Sequence, residues 1–411
     1  MLARHEGQVV FVAGAIPGER VRARVERVSR QLAHAETIEV LERSPDRRNG
    51  NVDWACGGSL YAHIAYTRQL SLKSELVADA FARIGKLTLP AAVEVMASPE
   101  QGYRMRARLH AQHGRIGFFR EGTHELCDVG LTHQLLPATT EALARLAAAL
   151  GAQGVNSVLS YDVSENMAAD ERVVLLEYDS SGGVIQSIPH TEGITGLAYG
   201  TPTRSTPKTG YGSPYVTDRI DVSGVPVALT HHVRSFFQGN RWLLPQLAGR
   251  VVSQVPAGPV IDLYAGVGLF AVSLAAVGRS EIVAVEGDRF SASDLDANAK
   301  PFGGAIAVAH AAVEHYLDDS SVRVPQTLVL DPPRTGLSRE AMSGILALKA
   351  PRVVYVSCDV ATLARDVRRL AEAGYRLDHI EAFDLFPSTA HVEVLVVLVI
   401  DTPSQILRTA P

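Results

Sequence analysis

The chain has 411 residues, of which 46% are hydrophobic and 20% are charged, a composition typical of a globular protein with two or three domains. Its net charge of −5 excludes a basic field over the whole surface but leaves room for a local basic face. Three cysteines are too few for a disulfide scaffold, the N-terminus lacks a signal-peptide core, and no apolar run is long enough for a membrane span. We therefore expect a cytoplasmic protein without membrane contact.

The first patterned stretch, residues 8–28, alternates apolar and polar side chains around a Pro17-Gly18 turn and predicts the short strands of a small barrel. Period-two alternation puts Arg20, Arg22 and Arg24 on one face of the second strand. Two interpretations of this face stay open. It is either a solvated strand surface or a set of contacts with the phosphates of an RNA backbone.

The middle of the chain combines helical and strand signals. An amphipathic helical segment is predicted over residues 60–85, and the region 92–215 is richer in strand patterns. A further helix is predicted over residues 140–150. Residues 200–214 are rich in Gly, Pro, Ser and Thr, which predicts a mobile loop or linker.

One predicted hairpin in this region carries a row of arginines. Residues 103–109 form a strand pattern with Arg104, Arg106 and Arg108 on one side, and a second arginine-bearing strand follows across a His-Gly turn. Phosphate contacts of such side chains would fix the position of an RNA without reading its sequence. The alternative is an ordinary charged outer face of a sheet.

Residues 259–270, PVIDLYAGVGLF, predict a buried strand, a glycine turn and a helix, the opening unit of a nucleotide-binding α/β sheet. Gly266 and Gly268 would let a ligand approach the backbone closely, and Glu286 ends the next strand, about 20 residues on, where ribose hydroxyls are held. The spacing differs from GxGxxG, which favours S-adenosylmethionine, a ligand with a ribose but no pyrophosphate. A purely structural turn is the alternative.

Strands and helices alternate through the rest of the chain, as in an α/β sheet. Later strands are predicted at residues 305–309, 327–330, 353–356, 377–383 and 392–400, and helices at 291–300 and 362–373. No helix separates the last two strands. We therefore expect them to form an antiparallel hairpin at the edge of the sheet.

Three polar motifs follow predicted strands, where open α/β sheets bind ligands. Asp331 begins an Asp-Pro-Pro-Arg loop, and Cys358 lies in Ser-Cys-Asp just before a helix. Such a cysteine is a candidate nucleophile, although a lone cysteine is more often a small buried hydrophobe. Glu393 follows a Phe-Pro turn and is a candidate general base if it faces the same crevice, or else a hydrated strand residue.

Together with other segments, these motifs resemble the RNA uracil-C5 methyltransferase family, which converts uridine in tRNA and ribosomal RNA to 5-methyluridine. The resemblance runs nearly end to end. It rests on VVFVAGAIPGERV, CGGSLYAHIAYTRQLSLK, GYRMRARL, SFFQGN, DLYAGVGLF, LDPPRTGL, YVSCDVATLARD and DLFPSTAHVE. The last five are highly specific as a set.

The resemblance implies a fold, a chemistry and a set of sites. We expect a TRAM-like RNA-binding barrel at 1–45, a helical linker and β-rich RNA-binding domain at 46–215, and a Rossmann-like methyltransferase domain at 216–411. Cys358 would be the nucleophile and Glu393 the base that removes the C5 proton. The residues that would line the S-adenosylmethionine site are Gln238, Tyr264, Glu286 and Asp331, with the Gly266–Gly268 turn.

The sequence departs from the family pattern where many members bind an iron–sulfur cluster through four cysteines. Gly50, Ser59 and Thr132 stand at three of those positions, Cys56 alone remains, and Cys127 is not aligned with the fourth. One thiolate cannot hold a cluster that needs four. We therefore expect no cluster and no other metal.

Two positions near the cofactor also differ from the family: Leu269, where tRNA-type members often have Asn, and Ala312, where an acidic residue often contacts the adenine. The barrel is expected to be incomplete, with its first strand upstream of Met1. We expect a monomer that methylates uridine C5 in structured RNA. The alternatives are the same chemistry on a nucleoside or small metabolite, and a non-catalytic RNA-binding protein.

Overall fold

The computed structural model describes residues 1–29, 32–49, 53–182, 188–202 and 206–400, so Gly50 lies outside the described part of the chain. An N-terminal sheet, a central sheet and a C-terminal α/β sheet follow one another along the sequence. This mixed architecture agrees with the expected fold class. Within the described ranges, no helix combines the length and apolar character needed to cross a bilayer.

The N-terminal sheet consists of β1 (Leu2–His5), β2 (Gln8–Ala13), β3 (Arg20–Val28) and β4 (Leu32–Glu42). Its order is β1-β2-β4-β3, with β2 and β4 parallel and the other neighbours antiparallel. The predicted short strands are therefore present. In the described residues the sheet is open, with β1 and β3 as its edges, so the predicted closure into a barrel is not confirmed.

The arginines of β3 lie on its exposed face, as the alternation predicts. Three of them face glutamates of β4, in the pairs Arg20–Glu42 at 3.1 Å, Arg22–Glu39 at 2.6 Å and Arg24–Glu36 at 3.1 Å. Exposed pairs of this kind add little to stability because water and salt screen them, but they cancel the local positive charge. The face is therefore mixed in charge, and both interpretations of it stay open.

Helix α1 (Tyr66–Ala80) continues into a π-helical turn, Phe81–Gly85, so the predicted segment 60–85 is helical but begins later. The apolar face of α1 is buried in one cluster with residues of the C-terminal sheet. Strand β5 (Val95–Met96) follows and also joins that sheet. We propose that the chain divides into three domains after residues 45 and 215. Helix α1 and strand β5 precede the second boundary in sequence but pack with the C-terminal sheet.

The central sheet has the order β12-β11-β10-β9-β6-β7-β8. Its elements are β6 (Arg106–Gln112), β7 (Arg115–Phe119), β8 (Leu126–Cys127), α2 (Pro137–Ala152), β9 (Val158–Glu165), β10 (Arg172–Tyr178), β11 (Gly196–Gly200) and β12 (Lys208–Gly212). The predicted arginine hairpin is β6–β7, although its strand begins at Arg106, and the helix predicted over 140–150 is α2. The prediction of a loop over 200–214 is wrong in part, because β12 pairs with β11 there.

A disulfide between Cys56 and Cys127 joins the loop after the N-terminal sheet to β8. Both cysteines are buried, and the N–H of Gly57 donates to the carbonyl of Phe119 at 3.0 Å beside them. The cysteine count gave no reason to expect this bond, because pairing depends on which Cβ atoms the fold brings together. The one cysteine left in the cluster motif is therefore already covalently bonded.

We expect the purified protein to contain no iron–sulfur cluster, because Ser59 and Thr132 present hydroxyls where a cluster needs thiolates and Cys56 is in the disulfide. Denatured, unreduced protein should titrate as one free thiol per chain, that of Cys358, and as three after reduction. Anaerobic purification with iron and sulfide analysis checks the first expectation. Stoichiometric iron and sulfide would contradict it, and three thiols without reduction would contradict the disulfide.

A hairpin and a helix, β13 (Tyr215–Val222), β14 (Val225–His232) and α3 (Leu244–Ser253), lead into the C-terminal sheet. That sheet has the order β17-β16-β15-β18-β19-β21-β20-β5. Its elements are β15 (Val260–Leu263), α4 (Leu269–Ala276), β16 (Ile282–Glu286), α5 (Arg289–Ala299), β17 (Ile306–His310), α6 (Val313–Leu317), β18 (Thr327–Leu330), α7 (Arg339–Leu348), β19 (Arg352–Ser357), α8 (Val360–Glu372), β20 (Arg376–Phe383) and β21 (Glu393–Val399).

The strand order determines where a ligand binds. Strands β15 to β19 are parallel, and the chain moves from β15 to β16 and β17 on one side, then to β18 and β19 on the other. This switch opens a crevice at the carboxyl ends of β15 and β18. The antiparallel hairpin β20–β21 is confirmed and lies beside β19, but the prediction that it forms the edge of the sheet is wrong, because β5 pairs beyond β20.

Candidate active site

The glycine turn after β15 has a backbone that few residues adopt, with φ of 63° at Tyr264, 58° at Gly266 and 98° at Gly268. A Cβ on Gly268 would lie 2.8 Å from a methyl group of Leu295 and 2.9 Å from one of Val272. Gly268 is therefore required by the contact between α4 and α5. This glycine is therefore needed for packing, in agreement with the alternative that the turn is structural.

Gly266 has a different environment. A Cβ on it would meet nothing within 4 Å, so open space lies in front of it. Its N–H donates to Oε2 of Glu286 at 2.8 Å, and the N–H of Asp288 donates to Oε1 at 2.6 Å. Burial raises the pKa of the Glu286 carboxyl, and these hydrogen bonds oppose that shift. Glu286 ends β16 as predicted, and each oxygen keeps a lone pair for a ribose hydroxyl.

Asp262 is a third polar residue at this crevice, and the sequence interpretation assigned it no role. It lies fully buried in β15, where Oδ2 accepts the N–H of Ala271 at 2.9 Å and Oδ1 has no partner among the described residues. Burial raises its pKa well above the ordinary value, and Asp331 and Glu286 add to that shift. The signal that could have found it is a carboxylate inside an otherwise apolar strand.

Asp331 and Gln238 meet at the carboxyl end of β18. The side-chain amide of Gln238 donates to Oδ2 of Asp331 at 3.3 Å. Burial raises the pKa of Asp331 to about 7, against the opposing effect of that hydrogen bond. Asp262, Glu286 and Asp331 thus bring three carboxyls to one crevice, which suits a positively charged ligand. In the described part of the chain, no group of three or more His, Cys, Asp or Glu side chains is arranged to hold a metal ion.

Tyr264 lies at the same turn, but the charges that act on its hydroxyl are not those of the crevice. Burial raises the pKa of its hydroxyl, followed by the effects of Glu314 and Asp366. Its ring is half-buried against the cluster under α7 and α8. The backbone of Tyr264 is therefore at the crevice, while its hydroxyl is nearer to α6 and α8.

Cys358 and Glu393 are brought together by strand register. Ser357 at the end of β19 pairs with Val394 of β21, and because the strands are antiparallel the next residues along, Cys358 and Glu393, come to adjoining positions. Asp359 then caps α8 by accepting the N–H of Thr362 at 2.8 Å, so the strand ends directly after the cysteine. A free thiol and a carboxyl thus lie side by side at the crevice.

Burial and the neighbouring charges shift the pKa values of both Cys358 and Glu393. Burial raises the pKa of the Cys358 thiol to about 11, with a further contribution from Glu393, while Arg334 acts in the opposite direction. Burial likewise raises the pKa of Glu393 well above its usual range, Asp331 adds to the shift, and Arg334 again opposes it. Arg334 is therefore the positive charge that this pair shares.

Arg104, just before β6, and Arg106 and Arg108 of β6 line a cavity of about 380 Å³ together with Arg234. Arg108 is held in a bidentate pair by Asp162 at 2.6 Å, so its charge is largely cancelled. Arg106 is mostly buried, donates to the carbonyl of Val233 at 3.1 Å, and has a pKa lowered to about 10 by burial. The three arginines lie on one side, as predicted. Because Arg108 is paired and Arg106 is mostly buried, only part of their charge is available to bind an anion.

Comparison with known proteins identifies the family. The profile of the tRNA (uracil-5-)-methyltransferase family matches residues 317–400, which include Asp331, Cys358 and Glu393, and that of the TRAM domain matches residues 1–38. An RNA methyltransferase of Thermosynechococcus vestitus is 33% identical over 97% of this chain and 94% of its own length. The 23S rRNA (uracil(1939)-C(5))-methyltransferase RlmD of Halomonas elongata is 30% identical over 96% of this chain and 85% of its own.

The chain belongs to the RNA uracil-C5 methyltransferase family. Within this family it is an RNA methyltransferase that uses S-adenosyl-L-methionine. The tRNA (uracil-54, C5)-methyltransferase of Pyrococcus abyssi, solved in complex with S-adenosyl-L-homocysteine, shares the fold with a TM-score of 0.75 over 96% of both chains, at 24% identity. In this chain the candidate nucleophile, the candidate base and the candidate cofactor-binding residues lie at one crevice.

Proposed function

We propose that this protein methylates C5 of a uridine in structured RNA, either ribosomal RNA or tRNA, through a covalent bond between Cys358 and C6 of the target uracil. The observation that carries the proposal is the register of β19 and β21, which puts a free thiol beside a carboxyl. Uracil C5 methylation needs one soft nucleophile and one base on the same ring. The target base must leave its stack to reach them.

The reaction begins at Cys358. C5 of uracil is a poor carbon nucleophile, and addition of a thiolate at C6 converts the ring to an enolate whose electron density lies on C5 and O4. Because burial raises the pKa of the thiol to about 11, the thiolate forms only with help, and Arg334 is the neighbouring charge that favours it. Bound S-adenosylmethionine supplies an electrophilic methyl group at its sulfonium.

Glu393 then removes the C5 proton, and the thiolate leaves C6, which restores the double bond of the ring. A buried carboxylate with a raised pKa is a stronger base towards carbon than an exposed one, and Arg334 favours the charged form that the step requires. The proton passes from C5 to Glu393, and the electron pair of the C–H bond expels the sulfur of Cys358. Cys358 and Glu393 thus act at different stages of one cycle.

The residues proposed to hold S-adenosylmethionine are Gln238, Tyr264, Gly266, Glu286 and Asp331, while Gly268 shapes the turn. Two observations support the fit: the open space in front of Gly266 and the orphaned Oδ1 of Asp262 in a crevice with other carboxyls. The carboxyls complement the positive charges of the ligand, and Glu286 reaches its ribose hydroxyls. Tyr264 would contribute its backbone and ring rather than its hydroxyl.

Affinity for S-adenosylmethionine is expected to rise with pH, because a sulfonium favours the charged form of Asp331 and the pKa of that carboxyl is about 7 in the free protein. Below that pH, binding must displace a proton, so the affinity is lower; above it, the affinity levels off. Calorimetry from about pH 5.5 to about pH 7.5 should show the ratio of S-adenosylmethionine to S-adenosylhomocysteine affinity increasing several-fold. Both ligands carry the same amino group, so the ratio isolates the sulfonium.

Asp331→Asn is the matched control for this pH dependence, since it removes the titrating carboxyl and keeps the hydrogen-bonding shape. Its affinity ratio should be lower than that of the wild type and flat with pH. A wild-type ratio that is flat or falls over this range would contradict the place of Asp331 beside the sulfonium.

RNA contacts are proposed for the arginines of the β6 cavity, Arg104, Arg106 and Arg108, and for Arg22 and Arg24 of β3. Replacing Arg104 with glutamine should weaken binding to all RNAs similarly and reduce the slope of log K against log salt by up to about 1, since each lost phosphate contact removes about 1. The Arg22→Gln/Arg24→Gln pair should change the slope less, because glutamates already face these side chains. Filter binding at several salt concentrations measures both.

An unchanged salt slope in the Arg104 variant would favour the alternative interpretation of this face as an ordinary charged sheet surface. A larger reduction of the salt slope in the Arg22→Gln/Arg24→Gln variant than in the Arg104 variant would reverse the proposed order of the two surfaces. Arg106 is left intact because its burial would confuse RNA binding with folding.

Labelled methyl transfer to ribosomal RNA, tRNA and free uridine tests the proposed function. Incorporation into a folded RNA, but not into uridine, supports it. Equal transfer to uridine would favour the small-acceptor alternative, and RNA binding without any transfer would favour the non-catalytic one. Mapping 5-methyluridine in RNA from cells that lack the protein would then identify the uridine.

A further inference from the structure

The loop between β20 and β21, residues 384–392, leads directly into Glu393 and is anchored by a buried charge from α1. Lys73 and Asp384 form an ion pair in which both side chains are fully buried. The Lys73 ammonium also donates to the main-chain carbonyl of Phe386 at 2.9 Å. A lysine from the start of the chain thus fixes the loop that precedes the proposed base.

The Phe386 carbonyl is the hub of a short hydrogen-bond relay. It accepts from Lys73 and, at 2.7 Å, from the hydroxyl of Thr389. The same hydroxyl accepts the N–H of His391 at 3.1 Å. The relay therefore runs from Lys73 through Phe386 and Thr389 to the backbone two residues before Glu393.

A second contact from α1 holds the tip of the same loop. The side-chain oxygen of Gln69 accepts the N–H of Ser388 at 2.9 Å, and its nitrogen donates to the carbonyls of Tyr61 and Ile64 at 3.0 Å. Ser388 has a φ of 63°, a conformation that costs energy and persists only where neighbours enforce it. Helix α1 thus contacts the loop at two points, Phe386 and Ser388, and the strained backbone lies at the second.

We propose that Lys73 is a positioning residue for Glu393, which orients the carboxyl towards C5 of the uracil bonded to Cys358. The inference rests on the proposed function and names a residue that acts through Glu393 without touching the substrate. Replacing a buried ion pair with well-packed apolar residues is often neutral or stabilising, so the pair is weak evidence for a role in stability. What the ion pair adds is a fixed donor at the Phe386 carbonyl.

The test removes the pair without leaving a buried charge, in the double variant Lys73→Met/Asp384→Leu. If Lys73 positions the base, methyl transfer in a single turnover should stay within about threefold of wild type, while multiple turnover falls about tenfold or more and the methylated covalent RNA complex accumulates. Release of the complex is followed on denaturing gels with labelled methyl groups. Ser74→Ala, which removes a hydrogen bond from the same helix to Val93, is the matched control and should keep wild-type release.

A purely structural role predicts a different result, in which transfer and release fall together with thermal stability. That outcome, or wild-type turnover in a folded double variant, would overturn the proposal. Glu393→Gln is measured alongside. If it accumulates the complex and the Lys73 variant does not, only this inference fails; if neither Glu393→Gln nor the wild type forms a complex, the proposed covalent mechanism fails.

Thr389→Val gives a second variant that leaves the buried charges in place. It removes the hydroxyl that joins the Phe386 carbonyl to the N–H of His391 while keeping the volume of the side chain. It should slow release of the covalent complex more than methyl transfer, in the same direction as the double variant. If the double variant does not fold, this variant decides, and equal effects on transfer and release would reject the relay.

Discussion

Replacing Cys358 with alanine is expected to lower methyl transfer to RNA by at least ~10⁴-fold and to abolish the covalent enzyme–RNA complex, because the uracil then never becomes nucleophilic at C5. All three cysteines lie in the described ranges, and the other two are joined in the disulfide, so neither has a free thiol to substitute for Cys358. Single-turnover transfer of labelled methyl groups measures the effect. RNA and S-adenosylmethionine binding should persist, which separates lost chemistry from lost folding.

Cys56→Ser/Cys127→Ser is the control for the cysteine experiment, since it removes the disulfide but leaves Cys358 in place. This variant should keep the covalent step even if it is less stable. Measurable turnover in folded Cys358→Ala, or a covalent complex of normal yield, would reject Cys358 as the nucleophile.

Glu393→Gln is expected to fail at a later stage. The thiolate still adds and the methyl group still moves, but glutamine cannot take the C5 proton, so elimination stalls and the enzyme stays bonded to methylated RNA. Steady-state turnover should fall by about 10²–10⁴-fold, the range for loss of a general base. Denaturing gels should show a complex that carries the labelled methyl group.

Glu393→Asp serves as the comparison for this variant, because it keeps the carboxylate but withdraws it by one methylene. It should turn over more slowly than wild type and accumulate less complex than the glutamine variant. Normal turnover in a folded Glu393→Gln protein would reject Glu393 as the base and leave it a structural residue of β21.

Local pattern predicted much of the C-terminal sheet, because apolar runs and turn residues define strands wherever both faces are buried. Residues 327–330 and 353–356 were placed to within a residue at each end. Strand ends in an α/β sheet converge on one edge, so Asp331 and Cys358 could be assigned to a common crevice. That Glu393 adjoins Cys358 depends on the order β19-β21-β20, which no local pattern specifies.

Contacts between distant parts of the chain were beyond sequence analysis. Lys73 and Asp384 are 311 residues apart, and nothing near either indicates a partner. Cys56 and Cys127 pair only because β8 lies beside the loop of Cys56. The row of arginines around β6 could be predicted from the sequence. The ion pair of Arg108 with Asp162 could not, because it depends on the pairing of β9 with β6 in the folded protein.

The most direct test of the central claim is mass spectrometry of the Glu393→Gln complex after nuclease and protease digestion, with S-adenosylmethionine that carries a labelled methyl group. The account predicts one cross-linked peptide, in which Cys358 bears a uridine nucleotide that has gained the label. A cross-link through any other residue, an unmethylated adduct, or no adduct from a folded protein that binds both RNA and cofactor would contradict it.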